Sequence, residues 1–342
     1  VSLSTQRDER IDLLRFIGLA MVILAHVYPP FIVAQLRNFD VPLMVLVSAL
    51  SFSASVKQES YGQYVWARVK RLVFPVWLFL ALYFALQWAF AFPVVLPSVD
   101  TIARTFGLID GIGYVWVIRI FLLVALIGPF VYRFHQREAS DLKYFGTLAL
   151  TYAVFQAMVW WLLPELTGTL KTFLLNTIFY VLPYGAVFAF GLRVPAMLKP
   201  ELWRWFMAFT VLFVALALWY FSQTEQFKPT QHFKYPPQHY YLAYALMVSL
   251  ALWLVAASML KLLYQVRLIA FVMFAGSNSI WIYLWHIFFL QIFKIDWLTN
   301  YLLVFICSAA VTWLQVTLVN KYLVAPCTDP QKRRNIKALL TG

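Results

Sequence analysis

The chain of 342 residues is 63% hydrophobic and 19% aromatic but only 12% charged, with a net charge of +13. A soluble domain carries about 25% charged residues, and no water-soluble globule could hide this much apolar surface, so a soluble enzyme is excluded. A disordered chain and a disulfide framework are excluded too, because the sequence is too apolar and holds just 2 cysteines.

What remains is an all-α polytopic transmembrane helix bundle. Each bilayer crossing takes about 20 mostly apolar residues. Ten such stretches follow one another at 11–33, 40–56, 72–92, 114–132, 144–163, 172–192, 205–222, 241–260, 268–290 and 301–320. Between the third and fourth, 93–113 holds Pro93, Pro97, Gly107, Gly111 and Gly113, and reads as an external loop with an interfacial stretch. The first apolar run contains Arg15 and His26 and lacks a small-residue cleavage site, which predicts a retained helix rather than a cleaved signal. Residues 1–322 are therefore expected to form the transmembrane domain and 323–342 a basic cytoplasmic tail.

Lys and Arg collect on one side of such a layout. With the N-terminus inside, 19 of the 27 fall on the cytoplasmic side and 6 outside, while Arg15 and Arg119 lie within spans. The positive-inside rule then places both termini in the cytoplasm of a multi-pass inner-membrane protein. Six acids, among them Asp40 and Asp110, balance the six external cations, so the basic excess is cytoplasmic. It needs no nucleic-acid partner, and the Lys332–Arg334 cluster is expected to rest on anionic membrane lipids. Cys307 and Cys327 suggest no disulfide, and no Cys/His spacing suggests a metal. The oligomeric state has no signature.

The intramembrane polar residues carry the chemistry. An arginine at the centre of a membrane helix costs about 2.5–3.5 kcal/mol, so it normally faces the bundle interior or a cavity. Arg15 and His26 are eleven residues apart, which at about 100° per residue puts them on one helix face, some 16 Å apart along the axis. Asp12 can pair with Arg15; the structural reading beside the functional one is a snorkelling arginine and a packed histidine. Asp40 opens the second span on the outer side, as an orienting partner for His26 or as a helix-start acid. Arg68, Lys70 and Arg71 precede Pro75, as phosphate ligands or as ordinary positive-inside charge. Trp116 and Arg119 begin the fourth span, as substrate ligands or as an interfacial belt. Ser279, Tyr283 and His286 form one stripe on the ninth span, as site residues or as interhelical hydrogen-bonding groups. The external run Gln226–Tyr241, rich in aromatics, His and Lys, reads as an interfacial segment or a glycan-stacking surface.

In this order, these residues resemble the acyltransferase family 3 integral-membrane enzymes. Ile11-Asp-Leu-Leu-Arg15 with His26 is similar to the family's Arg-x10-His motif, and Asp40-Val-Pro-Leu-Met-Val-Leu-Val-Ser48 to its second-span signature, with Ala49 where glycine is common. Arg68 and Arg71 resemble its Arg-x-x-Arg motif, and Ser279 to His286 its late-helix pattern. Where some members carry a glutamate-rich stretch after the tryptophan, this chain has Val117-Ile-Arg119-Ile-Phe121. The resemblance spans nearly the whole chain. It implies transfer of an acyl group, usually acetyl from cytoplasmic acetyl-CoA, to a sugar hydroxyl of a surface polysaccharide or lipid-linked glycan precursor. It also implies Arg15 near the donor, His26 as the catalytic histidine and Arg68 with Arg71 on CoA phosphates. An imidazole, with an ordinary pKa near about 6.5, suits general-base work, and a covalent acetyl-histidine is the other route. The alternative function is a proton-coupled exporter or flippase, with Arg15 and His26 as its relay.

Overall fold

The computed structural model describes residues 8–54, 59–90 and 97–342. Arg7, Lys57, Pro93 and the ends of the expected second and third spans lie outside the described residues. Among those described there is no strand.

Helix α1 (Glu9–Ala25) begins at Asp8, whose carboxylate accepts from the Arg10 backbone N–H, and stops short of Pro29 and Pro30. A short α2 (Phe31–Leu36) leads into α3 (Asp40–Ser53), which returns alongside α1. Next come α4 (Tyr61–Phe90), with Pro75 inside it, the short α5 (Val99–Phe106) and α6 (Trp116–Arg137). Helix α7 (Asp141–Ala157) runs on into a π-turn at Met158–Leu162. Then follow α8 (Gly168–Asn176), α9 (Ile178–Arg193), α10 (Lys199–Thr224) and α11 (His239–Gln265). The chain ends in α12 (Ile269–Ser277), α13 (Ser279–Ile292), α14 (Trp297–Val319) and α15 (Pro330–Leu340).

Among the described residues, eight helical stretches are long and apolar enough to cross a membrane, and the α12–α13 pair makes up to nine. The expected ten differ from this for an identifiable reason. Helix α1 has 17 residues, about 25 Å at about 1.5 Å per residue, and the proline pair stops it well before the expected residue 33. The structure adds two features. The ninth span is bent by 85° at Asn278, and the tail after residue 323 includes a helix, α15, packed against α4 and α14. The stretch expected to be interfacial contains α5, whose following loop is clamped by an Arg104–Asp110 ion pair. That guanidinium holds the Asp110 carboxyl down to about 2, so the clamp keeps its charge at neutral pH.

Helix α1 lies at the centre, against α3, α11, α12, α13 and α14, while α3 packs on α9, α11 and α6. By contrast α10 buries only Leu202 and packs on α11 from outside. Two glycines permit close approaches between helices. A side chain at Gly191 of α9 would meet Ala49 Cβ of α3 at 2.8 Å. One at Gly276 of α12 would fall against the Asp12 backbone of α1, 2.9 Å from its carbonyl carbon. Backbone cannot swing aside as a flexible side chain can. Gly276→Ala is therefore expected to cost about 1–3 kcal/mol and to lower the Tm of detergent-solubilised protein. Gly146→Ala, where nothing lies within 4 Å, should leave Tm unchanged or raise it.

Candidate functional site

The site has two levels, joined by Tyr283. At the first, a cavity of about 230 Å³ lies between α1, α3, α4, α6 and the α12–α13 break; its polar lining includes Arg15, Ser51, Arg68, Arg71, Ser279 and Tyr283. Arg15 Nη1 donates to Asp12 at 2.6 Å and Nη2 to Ser51 Oγ at 2.8 Å, so α3 fixes the guanidinium carried by α1. Arg68 lies over the Tyr64 ring at 4.8 Å, with the Tyr64 hydroxyl donating to the Ala125 carbonyl at 2.9 Å. Lys70 is not brought to this cavity: its Nζ faces Asn335 of α15 at 3.5 Å. Three guanidinium groups on one wall can hold a polyanion bidentately.

At the second level stand the two histidines. The Tyr283 hydroxyl donates to the Tyr114 carbonyl. One turn on, His286 Nδ1 meets the Tyr283 carbonyl, and its Nε2 lies 3.0 Å from His26 Nδ1, the rings stacked at 5.1 Å. The tautomers follow. A carbonyl can only accept, so His286 carries its proton on Nδ1 and accepts at Nε2. His26 must then donate from Nδ1, which leaves the lone pair of His26 on Nε2. The Tyr114 ring meets His26 edge-on at 5.0 Å.

The hydrogen bonds of Asp40 run to two cations and not to His26. Its carboxylate accepts from Arg37 at 2.9 Å and from Lys234 at 2.9 and 3.2 Å, all three residues buried. Lys234 belongs to the connection between α10 and α11, and burial pushes its ammonium below the ordinary lysine range while Asp40 opposes the shift. Alongside, Asn38 donates to Thr230 Oγ1 at 2.8 Å, and the Thr230 backbone N–H donates to Gln35 at 2.9 Å. These contacts pin the α10–α11 connection onto α2 and the turn that leads into α3. Trp116 meets the Tyr235 ring at 5.2 Å. Arg119 Nη1 donates to the carbonyls of Leu108 and Ile109, closing the turn before α6.

The sequence named both histidines but not their pairing, which comes from helices 260 positions apart in the chain. Ser51 and Lys234 were missed. The position of Lys234 in an external loop hid it, although an Asp opening a membrane span calls for a buried cation. Among the described residues no group of three or more His, Cys, Asp or Glu is placed to hold a metal.

Removing one partner of a buried ion pair costs about 3–5 kcal/mol because it strands the other charge. Asp40→Asn strands two cations, whereas Lys234→Met leaves a neutral Arg37–Asp40 pair. Unfolding in detergent should rank wild type above Lys234→Met and Lys234→Met above Asp40→Asn.

The family model for the acyltransferase domain of acyltransferase family 3 matches residues 8–319, a span that holds every candidate residue named above. No curated protein and no solved structure matches the chain.

Proposed function

The chain belongs to acyltransferase family 3 and is a multi-pass membrane acyltransferase; from that premise we propose that it moves an acetyl group from cytoplasmic acetyl-CoA to a sugar hydroxyl. The acceptor is a cell-surface polysaccharide or its lipid-linked precursor, and the setting is the inner cell membrane with both termini cytoplasmic. The observation that carries this reading is the His26–His286 pair, next to Tyr283 of a cavity lined by three arginines. Family membership favours acyl transfer over an exporter with the same residues as a relay.

The residues divide the work by position. Arg68 and Arg71 hold the phosphates of the donor at the cavity mouth, and Arg15, braced by Asp12 and Ser51, lies further along toward the acyl group. His26 Nε2 takes the proton of the sugar hydroxyl as its oxygen attacks the thioester carbonyl carbon. The carbon–sulfur bond then breaks, and the proton on His26 passes to the departing thiolate, so the products are the sugar ester and free CoA. His286 accepts from His26 Nδ1 throughout, holding the tautomer that keeps Nε2 open and sharing the charge of the transient imidazolium.

In purified protein given acetyl-labelled acetyl-CoA and a glycan acceptor, His26→Ala should abolish label transfer. His286→Ala should lower kcat by about 10²- to 10⁴-fold with little change in donor KM. Arg68→Ala with Arg71→Ala should instead raise donor KM. Wild-type kcat in both histidine variants would overturn the assignment.

A further inference from the structure

The connection between α10 and α11 turns one residue inward and the next outward. Lys234 is 2% exposed, locked on Asp40, whereas Tyr235 beside it is 49% exposed. A lysine taken out of water to meet a single carboxylate that already has Arg37 is a costly anchor. Its effect is positional. With Thr230 held by Gln35 and Asn38, the lock fixes where the Tyr235 ring stands.

That ring continues an aromatic row that starts at the catalytic level. Tyr114 touches His26 at 5.0 Å, Trp116 lies two residues along from Tyr114, and Tyr235 meets Trp116 at 5.2 Å with the rings at 82°. Tyr180 also meets Trp116, at 6.3 Å. An interfacial aromatic belt also places Trp and Tyr near a membrane surface, but such residues need no buried ion pair to hold them. Rigid Tyr and Trp faces give contact area at low conformational cost, with a hydroxyl or N–H at the rim. The C–H face of a pyranose ring matches that surface.

Resting on the proposed acyl transfer to sugars, we propose that Tyr235, with Trp116 and Tyr180, is the acceptor subsite, on which a pyranose ring stacks so that a hydroxyl reaches His26. The Lys234–Asp40 lock is its positioning device. Sugar specificity is then set by the α10–α11 connection, apart from the donor cavity at the arginine end.

The test uses membranes from cells producing each variant, given acetyl-labelled acetyl-CoA, with the endogenous surface glycans as acceptor. The readout is the ratio of label on glycan to free labelled acetate. Tyr235→Phe, which keeps the ring, should hold the wild-type ratio. Tyr235→Ala and Tyr235→Leu should each lower it about tenfold, the effect of truncating an aromatic anchor. Leu retains an apolar membrane anchor without a ring face, so a wild-type ratio in Tyr235→Leu assigns the residue to the interface and overturns the subsite. An equal fall in Tyr235→Phe also overturns it, by assigning the contact to the hydroxyl. Label absent from both glycan and acetate in the wild-type protein would bring down the acyl-transfer reading itself, and the subsite with it.

Discussion

The hydrocarbon core offers no water, so every polar side chain that enters it must find its partner in the protein. That constraint decides which helices surround α1. Arg15 is satisfied by Asp12 on its own helix and by Ser51 on α3, and His26 by His286 on α13. Asp40 is met by Arg37 and by Lys234, which the α10–α11 connection delivers. Three separate parts of the chain are thereby brought onto the same short central helix and its following turn. Apolar packing fills the space between them, and Gly276 lets α12 approach the α1 backbone beside Asp12.

The break between α12 and α13 belongs to the same economy. A helix interrupted at membrane depth leaves backbone groups unpaired, and is tolerated where it is buried in protein or lines a polar cavity. Here Asn278 returns a hydrogen bond to the Phe274 carbonyl at 2.8 Å, and Ser277 and Ser279 line the arginine cavity. The first turn of α13 therefore lines the same cavity as Arg15, Arg68 and Arg71. The positive end of its dipole adds to theirs. A straight ninth span would have kept Tyr283 and His286 on the same stripe but would have brought no helix start to the cavity.

Much of this was legible in the residues themselves. The apolar runs give the bundle, and the one-face spacing of Arg15 and His26 gives the axis of the site. Residues that break a helix within an apolar run are harder to read. Pro29 and Pro30 end α1 early, and the Ser277–Asn278–Ser279 bend carries no proline, so hydropathy passes straight through it. Pairings across large sequence separations were invisible for a different reason. A single sequence shows that Asp40 needs a cation, but Arg37 three residues before it already answers that need. Nothing local announces that Lys234 is the second. Likewise nothing local announces that Arg119 finds carbonyl partners in the turn before α6.

The pairing of His26 with another histidine, rather than with Asp40, has a physical rationale. An ionised carboxylate under His26 would need its own compensation in a medium that penalises unpaired charge. Two neutral imidazoles need none, and each satisfies the other through one N–H and one lone pair. On the proposed mechanism, charge arises on the pair only while it holds the acceptor proton, and His286 is already placed to share it. Asp40, fully occupied by two cations, is free of that duty. On the proposed mechanism it serves instead to hold the α10–α11 connection over the catalytic end, so that the proton chemistry and the acceptor-facing surface are kept on separate hydrogen-bond networks, with α2 lying between His26 and Asp40 in the chain.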